Sequence, residues 1–118
     1  MKVYIANAFS LNMLNEKEAL IYVKEITLDE VKNILNENDF VSAIGHQSTS
    51  QVLSQILGMN IEMNRIQVKL QENDEIIVFQ LLTRLEEGKV LSEDELKQLQ
   101  YKFYLVKMIR RAWNEIFI

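Results

Sequence analysis

Hydrophobic and polar positions change their period along the chain, and each change marks an element. Lys2-Val-Tyr-Ile-Ala-Asn-Ala-Phe9 is almost continuously apolar and rich in strand formers, the pattern of a strand covered on both faces. Leu20-Ile-Tyr-Val-Lys-Glu-Ile26 reads as a second strand. It runs into Thr27-Leu-Asp-Glu30, a capping box in which Thr27 bonds the Glu30 amide and Glu30 reaches back to Thr27, with Ile26 and Val31 as the hydrophobic staple. Leu28, Val31, Ile34 and Leu35 then recur at helical spacing. This predicts a helix ending near Asn36, with Asp29, Lys32 and Asn33 in water.

Phe40-Val-Ser-Ala-Ile44 is a short strand, and Gly45-His-Gln-Ser-Thr-Ser50 leads from it into a helix with Val52, Leu53, Ile56 and Leu57 on its inner side. Gly58 is a natural stop for that helix. Asn64-Arg-Ile-Gln-Val-Lys-Leu70 alternates polar with apolar. With the turn-like Glu72-Asn-Asp74 and the apolar run from Glu75 to Leu82, it predicts a hairpin. Ser92-Glu-Asp-Glu95 is a second capping box, stapled by Leu91 and Leu96, and Lys102 to Ile109 supplies a last strand. The order β, β, α, β, α, β, β, α, β predicts an α/β fold: a single domain over residues 1–118, with a mixed sheet of about five to six strands flanked by about three helices.

Composition narrows the chemistry. The 118 residues include no cysteine and one histidine, which removes disulfides, thiolate zinc sites and a cysteine nucleophile, and argues against a histidine-rich metal site. No metal or cofactor is expected. The formal net charge of −4 lacks the spread basic surface that duplex DNA binding needs; the segments Asp29–Asn36 and Ser48–Leu57 carry no basic stripe. No apolar run reaches the roughly 20 residues of a membrane span, and no secretory signal is visible, so a cytoplasmic protein is expected.

The densest candidate chemistry is Ile44-Gly-His-Gln-Ser-Thr-Ser50. A strand, a glycine turn and a hydroxyl-rich helix start present free backbone N–H groups to an anion, without the Gly-Lys-Ser/Thr of a Walker loop. Gly45 would let a ligand approach the backbone, His46 would stand at the rim, and Ser48 or Thr49 could cap the helix or contact a phosphate oxygen. Spacing alone leaves His46 either a surface turn residue or a ligand-facing one. Gln80 interrupts an apolar run and reads equally as a hydrogen-bonded buried amide or a ligand contact. Arg84 before Glu86-Glu87-Gly88 joins a guanidinium, an acid and a flexible turn, although a plain surface pair accounts for it as well. Arg65 shares the polar side of its predicted strand with Gln67 and Lys69. The tail Lys107-Met-Ile-Arg-Arg-Ala-Trp113 reads as a surface end or a dimer contact.

Taken together, Val3-Tyr-Ile-Ala-Asn-Ala-Phe-Ser10, Ser42-Ala-Ile-Gly-His-Gln-Ser-Thr49, Asn64-Arg65 and Arg84-Leu-Glu-Glu-Gly88 resemble the viral anti-CRISPR ring nucleases and their bacterial homologues, over about residues 1–100. The resemblance implies a homodimer that binds cyclic tetra-adenylate, the second messenger of type III CRISPR defence, and cuts it into linear di-adenylates carrying a 2′,3′-cyclic phosphate. It also implies His46 as general acid, Arg84 neutralising phosphate charge and Glu87 orienting its neighbours, with Asn7, Ser10, Gly45, Ser48, Thr49, Arg65 and Gln80 holding the ligand. Two other functions fit the same residues: a sponge that holds the ring without cutting it, and a dimeric protein-interaction module in which His46 is incidental.

Overall fold

A computed structural model of the chain describes residues 1–86, 88 and 90–110. In it β1 (Val3–Ala6) is the centre of the fold, and the reason is its composition: Val3, Tyr4, Ile5 and Ala6 are all buried, so both faces of the strand are covered. On one side β1 pairs in parallel with β3 (Phe40–Ala43), and on the other in parallel with β4 (Glu75–Leu81). β5 (Tyr101–Arg110) runs antiparallel beside β4, and β2 (Leu20–Ile26) antiparallel beside β5. The mixed sheet therefore has the order β2-β5-β4-β1-β3.

Among the described residues three helices pack on one face: α1 (Leu28–Glu37), α2 (Gln47–Leu57) and the short α3 (Glu93–Gln98). Their inward side chains, Val31, Leu35, Val52, Leu53 and Leu57, meet Val3, Ile5, Ile77, Phe79 and Phe103 of the sheet. Both predicted capping boxes are formed, at Thr27–Glu30 and Ser92–Glu95. Hydrogen bonds from the Thr27 backbone and side chain hold the Glu30 carboxyl below its ordinary value. Gly58 ends α2 at φ 67°, the left-handed conformation that glycine adopts without strain.

Among the described residues, the opposite face of the sheet carries no helix. It is covered by the 3-10 turn Leu11–Met13 and by an extended stretch that contributes Val68 and Leu70 to a second core with Tyr4, Ala6, Ile76, Val106 and Met108. Here the structure departs from the sequence expectation, because residues 64–70 are not a strand and form no hairpin with β4. Their alternation records burial on one side only: Val68 and Leu70 point inward while Arg65 and Gln67 face water. The backbone crosses the sheet face with only isolated bridges, Ile44 to Met63 and Leu14 to Leu70. Asp74 closes the following turn as a buried carboxylate that accepts hydrogen bonds from the amides of Lys2 (2.9 Å) and Gln71 (2.8 Å).

Residues 107–110 of the basic tail belong to β5 and are not a loose surface end, whereas the remainder of the tail, residues 111–118, lies outside the described residues.

Candidate functional site

The carboxyl ends of the parallel strands β1 and β3 lie side by side, the position at which open α/β sheets present ligands to their loops. Asn7 follows β1 directly, and its Oδ1 accepts the N–H of Gly45 at 3.1 Å. The Nε of Arg65 donates to the carbonyl of the same glycine at 2.8 Å. Both peptide groups of Gly45 are thus held by side chains from distant parts of the chain. Arg65 is aimed by Asn64, whose amide donates to the Ile44 carbonyl at 2.8 Å and whose Nδ2 donates to the Ser42 carbonyl at 2.7 Å. Ser42 reinforces this by donating from its hydroxyl to the Glu62 carbonyl. Asn64 is a positioning residue that sequence reasoning left without a role; its place immediately before Arg65 was the available signal.

Gly45 is not demanded by the fold. A Cβ at this position would meet nothing nearer than Asn7 Oδ1 at 3.9 Å and Arg65 Cγ at 4.0 Å, which is ordinary contact. Its backbone needs no left-handed conformation either, since the positive-φ glycines are Gly58 and Gly88. What glycine leaves here is open space above a fixed peptide, suited to the close approach of a ligand.

His46 is the N-cap residue of α2, with extended backbone, an exposed side chain, and a carbonyl that accepts the Ser50 amide at 3.0 Å. Its side chain makes no capping hydrogen bond. Of the two roles open to Ser48 and Thr49, capping is excluded: α2 begins at Gln47, so both hydroxyls fall inside its first turn. The amides of Gln47, Ser48 and Thr49 have no partner within the helix and accompany the imidazole at its start. Ser10 sits beyond Asn7, exposed, at the start of the 3-10 turn.

Gln80 is exposed, which corrects the reading of it as a buried amide. It lies on the helix-free face, pairs in register with Lys102, and extends past the point where the covering segment ends: Ile76 is 0% and Val78 8% exposed on that same side. Arg84 lines a recess with Leu85, Glu95 and Gln98 beside α3, and the side-chain hydrogen bonds that hold Gly45 come from Asn7 and Arg65. Glu87 lies outside the described residues.

The assembled group is therefore Asn7, Gly45, His46 and Arg65, with Ser48 and Thr49 in the adjoining helical turn. Among the described residues it contains hydrogen-bond donors, one guanidinium and one imidazole, and no carboxylate. Such a set suits a ligand that is anionic and rich in acceptors.

The STIV B116-like family model matches residues 3–103, and the chain belongs to this family. It is 40% identical over 113 residues to protein 26 of Sulfolobus islandicus filamentous virus, covering 95% of this chain and 96% of that protein. It is 36% identical over 101 residues to YddF of Bacillus subtilis, covering 84% and 94% respectively. Among solved structures, B116 of Sulfolobus turreted icosahedral virus superposes with a TM-score of 0.81 at 36% identity, covering 90% of this chain and 98% of that one. The family thus includes viral proteins and a bacterial homologue, and the mixed five-stranded sheet with three helices agrees with the B116 structure.

Proposed function

We propose that this chain is a ring nuclease that binds cyclic tetra-adenylate as a homodimer and cleaves it to linear di-adenylate with a 2′,3′-cyclic phosphate, suppressing type III CRISPR signalling. The observation that carries the reading is the Gly45–His46 turn. A fixed, sterically open peptide and an uncommitted imidazole stand together at a helix start, beside Arg65. This arrangement is what strand scission by an internal nucleophile requires.

In this reaction a ribose 2′-oxygen attacks the adjacent phosphorus, the bond from phosphorus to the 5′-oxygen breaks, and the 2′-hydroxyl proton leaves to solvent. The departing 5′-oxygen takes a proton from His46, and such a positioned acid is worth roughly 10²–10⁴ in rate. The nucleophile belongs to the substrate, so the protein aligns and protonates. Arg65 spends its Nε on Gly45 and turns its terminal nitrogens to phosphate, while Asn7, Ser10, Ser48, Thr49 and Gln80 hold the remainder of the ring. Arg84 and Glu87 complete the bound arrangement, Arg84 approaching from the recess it lines in the free chain.

The dimer is supported by an apolar recess of about 220 Å³ on the helix-free face, formed by Phe9, Val23, Val78, Tyr104 and Val106. Val23 is 56% exposed, and Phe9 belongs to the same loop as Asn7 and Ser10, so covering this recess with a second copy would set two sites near one axis. Two-fold symmetry then matches a four-membered ring cut at opposite positions.

The test is incubation of the purified protein with cyclic tetra-adenylate, with and without EDTA, followed by chromatography and mass spectrometry of the products. Di-adenylate ending in a cyclic phosphate, formed in EDTA, is the expected result. An intact ring bound tightly would leave a sponge, and neither binding nor cleavage would leave an interaction module. A companion variant, Gly45→Ala, is expected to melt at or slightly above the wild-type temperature, because the site tolerates a methyl group and the unfolded chain loses freedom. Its ring affinity should fall at least tenfold; unchanged affinity would show that no ligand approaches this peptide.

A further inference from the structure

Residues 64–70 cross the sheet face as a strut that is tied down at both ends. At the first end Asn64 bonds the carbonyls of Ser42 and Ile44, next to Arg65. At the other end two consecutive residues reach the loop that follows β1. The ammonium of Lys69 donates to the Asn12 carbonyl at 2.7 Å, and the amide of Leu70 donates to the Met13 carbonyl at 2.8 Å. Between the ends, Val68 is buried in the second core and holds the strut against the sheet.

The braced loop carries Ser10. Its carbonyl accepts the Met13 amide at 3.0 Å and the Leu11 carbonyl accepts the Leu14 amide at 3.0 Å, so Ser10, the 3-10 turn and the strut form one connected chain of bonds. Ala8, Ser10, Leu11 and Asn12 are exposed, so burial does little to fix this part of the loop, and the bonds from Lys69 and Leu70 carry that task. The lysine itself differs from its neighbours on the polar side of the segment. Arg65 and Gln67 are exposed, whereas Lys69 is half-buried, as expected of a stem laid along protein with its ammonium engaged.

We propose that Lys69 is a positioning residue of the candidate site: it holds the loop after β1 at a fixed spacing from Arg65, so that Ser10 and Arg65 meet the ligand as a preorganised pair. The inference rests on the ring nuclease reading for the identity of that ligand. A loop ordered before binding has no ordering cost left at binding. Releasing it therefore weakens affinity, while the chemistry in the bound complex, which turns on His46, keeps its rate.

The test compares Lys69→Met, which keeps an apolar stem and removes the donor, with Lys69→Arg, which restores one. Amide exchange of the free proteins is followed by NMR, and binding and cleavage of cyclic tetra-adenylate are measured on the same preparations. In Lys69→Met the Met13 and Leu14 amides should exchange at least threefold faster, ring affinity should fall about three- to tenfold, and the single-turnover rate at saturating ring should stay within twofold. Its melting temperature should stay within about 2 °C of wild type, because the bond is a surface one. Lys69→Arg should return both exchange and affinity toward wild type. Unchanged exchange, unchanged affinity, a saturated rate that falls as far as the affinity, or no rescue by arginine would each overturn the proposal. A wild-type chain that neither binds nor cuts the ring would instead sink the ring nuclease reading, and the exchange comparison, which needs no ligand, would still decide whether Lys69 holds the loop.

Discussion

His46→Ala is expected to slow cleavage of cyclic tetra-adenylate by roughly 10²–10⁴ while leaving ring affinity within a few fold. The asymmetry follows from how the imidazole sits. It is exposed and makes no capping hydrogen bond, so its removal disturbs neither the Asn7–Gly45–Arg65 network nor the start of α2. For the same reason folding stability should change by less than about 0.5 kcal/mol. Single-turnover cleavage of a labelled ring, with calorimetric binding measured on the same preparation, separates the two quantities. Cleavage at the wild-type rate would remove His46 from the chemistry, and loss of binding together with cleavage would make it a ligand contact.

The second large effect is structural. Phe79 is fully buried, packing at 5.3 Å between ring centroids on Phe103 and at 5.6 Å on Tyr101, which themselves meet edge-on at 5.6 Å. Phe79→Ala should cost about 3–5 kcal/mol, a large part of the roughly 5–15 kcal/mol available to a domain of this size. Urea unfolding followed by circular dichroism would read it as a fall in midpoint at unchanged slope. Gln80→Ala, one residue further along β4 but facing water, should shift stability by less than about 0.5 kcal/mol. Equal costs at the two positions would contradict the assignment of strand faces.

These two neighbours show what the sequence could and could not reveal. Apolar continuity identified β1 and β4, helical spacing identified the inward faces of α1 and α2, and Thr27, Gly58 and Ser92 marked the helix ends, because each of these signals is local. Gln80 was ambiguous because its environment depends on how far residues 64–70 reach across the sheet, which is a tertiary matter. The same residues carry the pattern of a strand without being one, because alternation reports one-sided burial and says nothing of a pairing partner.

The candidate site was legible in a similar measure. Gly45, His46 and the helix start lie within one local motif, so their proximity needed no fold. That Asn7 and Arg65 converge on the Gly45 peptide could not be read from spacing, since β1 and β3 become neighbours only through sheet pairing. The side-chain bonds to Gly45 come from Asn7 and Arg65, so the place of Arg84 in the site rests on the resemblance and not on contact.

The clasp on Gly45 also constrains when the site can exist. One of its arms comes from 38 residues earlier and the other from 20 residues later, and the strand that carries the first arm is anchored by a hydrogen bond spanning 72 residues, from Lys2 to Asp74. Contacts of such span close late, after the loop entropy between them has been overcome. A nascent or truncated chain therefore carries the Gly45–His46 motif without the receptor built around it. Ligand affinity becomes a reporter of complete folding, and a bound ligand should in turn raise the melting temperature of the whole domain.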